Sequence, residues 1–577
     1  MKKTFLLSCL MLAAMPVMAA YTGHVYVDKN KNGVFDQSEK PLAGIKVSDG
    51  LNVVETAADG SFTLPGHERE RFIFITTPSG YKTFNRHYHK IEKKQSGYDF
   101  GLIPYSGRIR KDGSHRYIHI TDTEIFNTEN HADWVNNVHD YARNEQAAFI
   151  IHTGDICYEK GLKAHIKLMN TENMDCPVFY CIGNHDLVKG KYGEELFESI
   201  YGPVYYSFDA GNVHYVVTPM PGGDHAPGYT SDDVCRWLKN DLAHIRPGTP
   251  VVVFNHDLLT YEDTFIFKSK NAGSINLNEY NLKAWVYGHW HINYMKKQGD
   301  VYSVCTSSLD KGGIDHSTTA FRVMHVDSKG DFTSELRYTY LDKNICIASP
   351  AGVMASGVLP VAVNVYSSVS PVREVLYTCL ADGKPVLKNK RLLQSTDWSW
   401  NGELPLSHKY VGKELTLRVT ARFNNGEIAE AESHFICRTE KAVPLFSADW
   451  DNLSGNAKHS APVSAPLNLP LQLAWTNNVG ANLYMTSPLI HKGKVIVASV
   501  DEDLKGVGHV YALNGKDGTI LWSCPVRNSI KNSIAVDSDI VFAQDAQGFL
   551  YAIDTETGKL CWEKQLPVNG LPALIDG

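Results

Sequence analysis

Beyond its first twenty positions the chain has no run of 18 or more apolar residues, so nothing after that point reads as a membrane-spanning helix. A charge excess of one sign is also missing. The 56 Lys and Arg against 63 Asp and Glu leave a formal charge of −7 over 577 residues, which argues against a nucleic-acid surface. Cysteine sets no framework either: apart from Cys9, the ten others are scattered through a chain large enough to build real cores. Cys379 and Cys437 share one candidate domain and could pair, whereas Cys157 and Cys181 read as small buried hydrophobes. The one long apolar stretch is N-terminal. Lys2 and Lys3, the run from Phe5 to Ala14, and Val17-Met18-Ala19 before Ala20 read as a secretory signal peptide over 1–20. The expectation is a soluble, exported mature protein, periplasmic or extracellular. Leu6-Leu7-Ser8-Cys9 faintly resembles a lipoprotein box, but the apolar core continues past Cys9, which disfavours a lipid anchor.

What the chain does have is a series of metal-donor patches, each following an apolar run. Asp122 follows Arg116 to Ile120, Asp155 follows Ala148 to His152, and Asn184-His185-Asp186 follows Pro177 to Ile182. His256 follows Pro250 to Phe254, and His289-Trp290-His291 follows Lys283 to Tyr287. The runs read as buried strands, while His131 to Gln146 and Ser231 to Ile245 carry apolar residues at helical spacing. Alternating strands and helices predict an α/β layered domain, with its chemistry just beyond the carboxyl ends of the strands. Taken singly, each patch is an ordinary turn or a satisfied core residue. The ordered set is what a two-metal hydrolase needs. His289 and His291 alternate, so in an extended segment both point to one side.

The stretch 116–340 resembles the calcineurin-like metallophosphoesterases, whose blocks run Asp-x-His, Gly-Asp, Gly-Asn-His-Asp/Glu, a lone His, and Gly-His-x-His. Four blocks match here residue for residue. The segment from Gly202 to His214 is also similar to a hairpin that many bacterial members carry, with Thr218-Pro219 in place of the usual acidic end. The resemblance implies one metal on Asp122, Asp155 and His291 and another on Asp155, Asn184, His256 and His289. Two divalent ions, Mn, Fe, Zn or Mg, about 3.5–4 Å apart would lower the pKa of a shared water from roughly 16 towards about 7, providing a hydroxide for in-line attack on a phosphate monoester or diester. His185 is placed to protonate the leaving oxygen, and Asp186 to orient its imidazole. One block departs from the pattern: Asp122-Thr123-Glu124 has Glu where the family has His. Either Glu124 ligates through oxygen and favours a harder metal, or it points away and weakens the first site. The second case leaves an alternative, a non-catalytic envelope- or glycan-binding protein. Trp290 and Tyr158 read equally as packing residues or substrate contacts. Gly222-Gly223-Asp224-His225 lies where a substrate-side loop would be, although Gly-rich turns need no function.

The expected architecture is multidomain: a central α/β phosphoesterase sandwich over 106–340, flanked by β-sandwiches and ending in a partial β-propeller. Residues 21–105 read as a small β-sandwich containing a twelve-residue calcium-loop pattern. In it Asp28, Asn30, Asn32, Asp36 and Glu39 supply side-chain oxygens, Val34 a carbonyl, and Gly33 the sharp turn. The alternative for that loop is a polar hairpin turn. Strand-like alternation in Val361 to Tyr366, Glu374 to Leu380 and Glu414 to Ala421 makes 341–440 a second β-sandwich, and 441–470, rich in Pro, Ala and Ser, a linker. Within 471–577, Gly508-His509-Val510-Tyr511-Ala512-Leu513 recurs forty residues later as Gly548-Phe549-Leu550-Tyr551-Ala552-Ile553, with Trp522 answered by Trp562. This repeat resembles quinoprotein-like propeller blades, of which about two and a half are visible, Pro572 to Gly577 opening a further unit. The repeat alone implies no quinone.

Overall fold

The computed structural model describes residues 20–95, 97–341, 343–439, 449–460, 473–484 and 486–566. The expected signal peptide, most of the linker and the unit opening at Pro572 therefore lie outside the described residues.

The central region carries two sheets. In the first, β1 (His115–Ile120), β2 (Phe149–His152) and β3 (Val178–Tyr180) run parallel in the order β3-β2-β1. The second begins with the hairpin β4 (Tyr206–Ala210) and β5 (Val213–Val217), and β5 runs parallel to β6 (Val251–Phe254). Next come β7 (Leu282–Tyr287), parallel to β6, and the pair β8 (Tyr294–Gln298) and β9 (Val301–Cys305), with β9 parallel to β7. The antiparallel strands β10 (Ala320–Val326) and β11 (Phe332–Tyr338) complete the first sheet beside β1. All four residues of both β2 and β6 are buried, as strands covered on two faces must be, which is why they read as uninterrupted apolar runs. Aromatic rings fill the space between the sheets. Tyr117 stacks on Phe149 at 4.7 Å, Phe149 meets Phe208 edge-on at 4.9 Å, and Tyr215 stacks on Phe254 at 5.7 Å. Such pairs contribute about 0.5–1.5 kcal/mol each beyond their burial, so this stack fixes the distance between the two rows of strand ends.

The helices cover the outer faces. α1 (Ala132–Asn144) buries Trp134, Asn137, Val138, Tyr141 and Ala142, the i, i+3, i+4, i+7 stripe of an amphipathic helix. α2 (Tyr158–Leu168) leaves directly from the Asp155 turn, and α3 (Glu195–Tyr201) packs against it. α4 (Ser231–Ala243) starts at a capping box, in which Thr230 Oγ1 accepts from the N–H of Asp233.

The flanking regions are strand-rich. At the N-terminus Tyr21–Val27 pairs with Lys40–Pro41, Ser61–Leu64 and Phe100–Pro104, and Lys46–Ser48, Val53–Glu55, Phe72–Ile75 and Tyr88–Lys90 form another sheet. The calcium-loop pattern is thus flanked by strands rather than helices. Residues 343–438 form a four-stranded and a five-stranded sheet sharing one apolar core that includes Val363, Trp400, Leu417 and Phe435. Cys379 and Cys437 lie buried in this core as free thiols, which corrects the expected pairing; all ten described cysteines are free. The 40-residue repeat becomes two four-stranded antiparallel sheets, 489–526 and 535–565. Trp475 Nε1 donates to the carbonyl of Gly515, and Trp522 Nε1 to that of Thr555, so each ring is tied to the turn of a later segment. Among the described residues no helix is long and apolar enough to cross a membrane.

Candidate metal centre

The donors converge where five parallel strands end, after β1, β2 and β3 of one sheet and β6 and β7 of the other. Asp122 and Asp155 are buried, and so is His256. The Nε2 of His256 lies 3.1 Å from Asp155 Oδ2 and 3.9 Å from Asp122 Oδ1, and the Nε2 of His291 lies 3.3 Å from Asp122 Oδ1. Ligand atoms of Asp155, His256 and His289 all fall within 4.8 Å of one another, as do those of Glu124, Asp155 and His185. Asn184 sits in the turn after β3, and the next N–H, that of His185, donates to Asp155 Oδ1 at 3.0 Å.

Small residues make this crowding possible. A Cβ on Gly183 would lie 2.2 Å from Asp155 Oδ1, and one on Gly288 would lie 1.9 Å from Thr121 Oγ1 and 2.5 Å from Asp122 Oδ2. The glycines of these motifs are therefore required by close approach. The backbone is also unusual: Asp122, Glu124, Asp155, His289 and His291 all have φ between +43° and +66°. Such conformations cost free energy for residues with a Cβ and collect at functional sites, where the surrounding fold over-determines them.

The electrostatics are those of a cation site. Burial opposes ionisation of Asp155, but His256 and the N–H of His185 outweigh it and hold the carboxyl at about 2. Burial likewise opposes the charged form of His256, yet Asp155 and Asp122 push it up to about 10. A charged imidazole thus partly offsets the acids. Two of the site's buried polar atoms make no hydrogen bond to protein: Asn184 Oδ1, and His256 Nε2, whose contact with Asp155 at 3.1 Å is an ion pair. Buried polar atoms are rarely left unpaired, and here both belong to residue types that bind divalent cations. The residues fit a metal centre.

Glu124 points inward. Its Oε1 lies 3.5 Å from His291 Nε2, and its Oε2 pairs with Lys311 Nζ at 2.5 Å. It occupies the His291 side, with part of its charge already taken by Lys311. Asp186 departs from expectation. Its carboxylate accepts from the N–H groups of Cys157 and Gly183, 2.8 and 2.9 Å away, and serves the turn that carries Asn184 rather than the His185 ring. Burial, then the charge of Asp155, raise its pKa to about 7. The partner of His185 is Asp224, whose Oδ2 is 2.8 Å from Nδ1. Although burial opposes it, this hydrogen bond helps hold the imidazole's pKa above its ordinary value. Asp224 and Lys311 are the residues that sequence reasoning missed. The Gly222-Gly223 loop was the only signal for the first, and none pointed to the second.

At the calcium-loop pattern, Asp28 is buried and accepts from the N–H groups of Asn32 and Gly33. Asn30 and Asn32 donate to Asp36, Glu39 accepts from the N–H groups of Lys29 and Asp36, and Val34 is exposed. The loop's oxygens are engaged largely by its own backbone.

A mixed acid, amide and imidazole set at the strand ends of two facing sheets defines a metallohydrolase-type centre. More specifically, residues 115–293 match the family model "Calcineurin-like phosphoesterase" and residues 29–104 the model "N terminal of Calcineurin-like phosphoesterase". Residues 472–573 match "Outer membrane protein assembly factor BamB". Purple acid phosphatase 13 of Arabidopsis thaliana is 26% identical over 215 residues, covering 35% of this chain and 36% of that protein. The chain therefore spans about a third of the length of this curated relative. Among solved structures, a conserved uncharacterized protein of Streptococcus pneumoniae TIGR4, described as a predicted phosphoesterase, is 11% identical with a TM-score of 0.19, covering 39% of this chain and 98% of that one. BamB from Moraxella catarrhalis is 11% identical with a TM-score of 0.13, covering 44% and 59%. TM-scores this low decide nothing about the chain.

Proposed function

We propose that this is an exported, multidomain, metal-dependent phosphoesterase that hydrolyses a phosphate monoester or diester. The observation that carries this reading is the cluster of donors at the strand ends, with Asn184 Oδ1 buried in its midst without a hydrogen-bond partner. Asp122, Asp155 and His291, with Glu124 beside them, would hold one divalent ion; Asp155, Asn184, His256 and His289 would hold the other. Bound there, such ions supply Lewis-acid polarisation of a phosphoryl group and a water ionisable near neutral pH. The chain's own residues do the rest. Because Nδ1 of His185 is committed to Asp224, Nε2 is the nitrogen positioned to give a proton to the leaving oxygen. Asp224 fixes the ring's orientation, and Lys311 adds positive charge beside Glu124 where phosphoryl oxygens would gather.

The remaining assignments have narrower support. Export rests on the N-terminal Lys2-Lys3 and apolar run. We read the paired accessory sheets as β-sandwiches and the two 40-residue units as consecutive propeller blades, a binding platform for envelope or glycan partners. A structural Ca²⁺ at Asp28, Asn30, Asn32, Val34, Asp36 and Glu39 would have to displace some of the loop's internal hydrogen bonds. A second reading, a binding protein with a disabled centre, draws on the Glu124–Lys311 pair, which takes up a carboxylate the first metal would use.

Metal analysis together with turnover of an aryl phosphodiester separates the two. Bound divalent metal with activity lost in Asp155→Asn supports the enzyme, whereas an inactive parent that Glu124→His switches on supports the binding protein.

A further inference from the structure

The surface beside His185 carries more apolar area than a solvent-facing rim needs. Phe126 is 56% exposed and Tyr158 is 43% exposed, yet their rings lie near-parallel, 15° apart in plane with centroids at 6.3 Å. The Tyr158 ring continues the row to His185, 5.3 Å away between centroids. This presentation is held against local preference, because Cys157 and Tyr158 have φ of +77° and +54° where the chain turns from Asp155 into α2. Around the two rings is a cavity of about 410 Å³ whose wall includes Leu187, Lys189, Asp224 and His225. That volume lies within the range of small-molecule sites, and its make-up of apolar rings with a few charged groups is what such sites show. Leu187 and Val188 are buried, so the open apolar surface is two ring faces rather than a channel for an acyl chain.

We propose that the leaving group of this enzyme's substrate bears a flat aromatic or heteroaromatic ring, as a nucleoside or an aryl alcohol does, seated on Phe126 and Tyr158. The assignment rests on the phosphoesterase reading, since it is the placement of His185 at the leaving oxygen that puts the leaving group on this side. The ring packs face-on against the shelf, and its oxygen meets His185 Nε2.

The test uses the full chain loaded with divalent metal and compares kcat/KM for adenosine 5′-monophosphate, p-nitrophenyl phosphate and glycerol 3-phosphate. The expected result is a preference for the two ring-bearing esters over the glycerol ester. Phe126→Ala narrows that ratio roughly 5- to 150-fold, the size of one base–aromatic stack, mainly through KM, and Phe126→Tyr restores it. A nucleoside-sized ligand shows as a larger Phe126→Ala loss for adenosine 5′-monophosphate than for p-nitrophenyl phosphate, an aryl ligand as the reverse, a comparison from which the nitrophenyl ester's intrinsic reactivity cancels. If all three esters turn over equally and Phe126→Ala changes none of their ratios, the ring assignment falls while the phosphoesterase reading stands. If no ester turns over with metal bound, the phosphoesterase reading falls and takes the ring assignment with it.

Discussion

Two buried groups of charged side chains in this molecule look alike at first and are built on opposite terms. At the contact between the central region and the repeats, the Nζ of Lys531 lies 2.8 Å from Asp315 Oδ2 and also pairs with Glu502 and the carbonyl of Asn293. All three ionised side chains are at most 3% exposed. Nearby, Arg322 donates to Thr306 Oγ1, Ser334 Oγ and the carbonyls of Cys305 and Glu502. Each acid there has a lysine opposite it, and Glu502 also accepts from the Tyr484 hydroxyl. At the candidate metal centre, Asp122, Glu124 and Asp155 face imidazoles and one lysine, and the buried amide oxygen of Asn184 has no hydrogen-bond partner. Burial of charge does not mark a site; the donor types do, and only the second cluster sets imidazoles and an amide oxygen beside its acids. The first cluster is a structural rivet, the second asks for cations.

The comparison can be broken most forcefully at Asp155. Asp155→Asn should abolish turnover and reduce bound metal, measured by metal analysis of the purified protein; retained metal and activity would put both clusters in the structural class. His185→Ala should leave metal content intact and slow hydrolysis by about 10²- to 10⁴-fold, more for alkyl than for nitrophenyl leaving groups, since only the former need a proton. At the rivet, Lys531→Met leaves Asp315 and Glu502 buried without their lysine counter-charge and should destabilise the fold by about 3–5 kcal/mol in urea titration. The triple variant Lys531→Met, Asp315→Asn, Glu502→Gln should recover most of that loss.

A third buried charge sharpens the contrast through pH. His214 is fully buried between Asp209 Oδ1 at 2.6 Å and Asp241 Oδ2 at 2.8 Å. Burial opposes its charge, but Asp241 and Asp209 prevail and push it up to about 9. A histidine whose folded pKa exceeds its unfolded value of about 6.5 contributes stability in full below that value and loses it as pH rises through about 9. The thermal midpoint should therefore fall between pH 7 and 9, and His214→Gln should flatten that slope. The smallest effect is expected at the N-terminal loop, where calcium should raise the midpoint slightly and Asp28→Ala should remove the response.

The strands of the centre were legible because burial on both faces demands uninterrupted apolar runs, and the observed ends differ from the expected ones by only one or two residues. Ligands were legible because glycine and donor must be adjacent where a Cβ would collide with a neighbouring carboxylate. Asp224 was not legible as the His185 partner, since the two are 39 residues apart and only the folded loop brings them to 2.8 Å. Nothing nearby in sequence distinguished it from the adjacent Asp186, whose carboxylate turns instead to two backbone N–H groups. The Cys379–Cys437 pairing failed for a related reason: sharing a core does not bring two thiols into bonding geometry.

By itself, then, the chain's order of residues determined which side chains can bind cations, which segments must be buried strands, and where the forty-residue units repeat. These are local matters, set by side-chain chemistry and by the two-residue and 3.6-residue periods of strand and helix. Only the tertiary structure decided which acid serves which imidazole, that Glu124 faces inward against Lys311, and that one cluster sets a lysine against acids while another sets imidazoles against them. Those outcomes depend on distances across the aromatic stack between two sheets, and spacing along a chain carries no record of them.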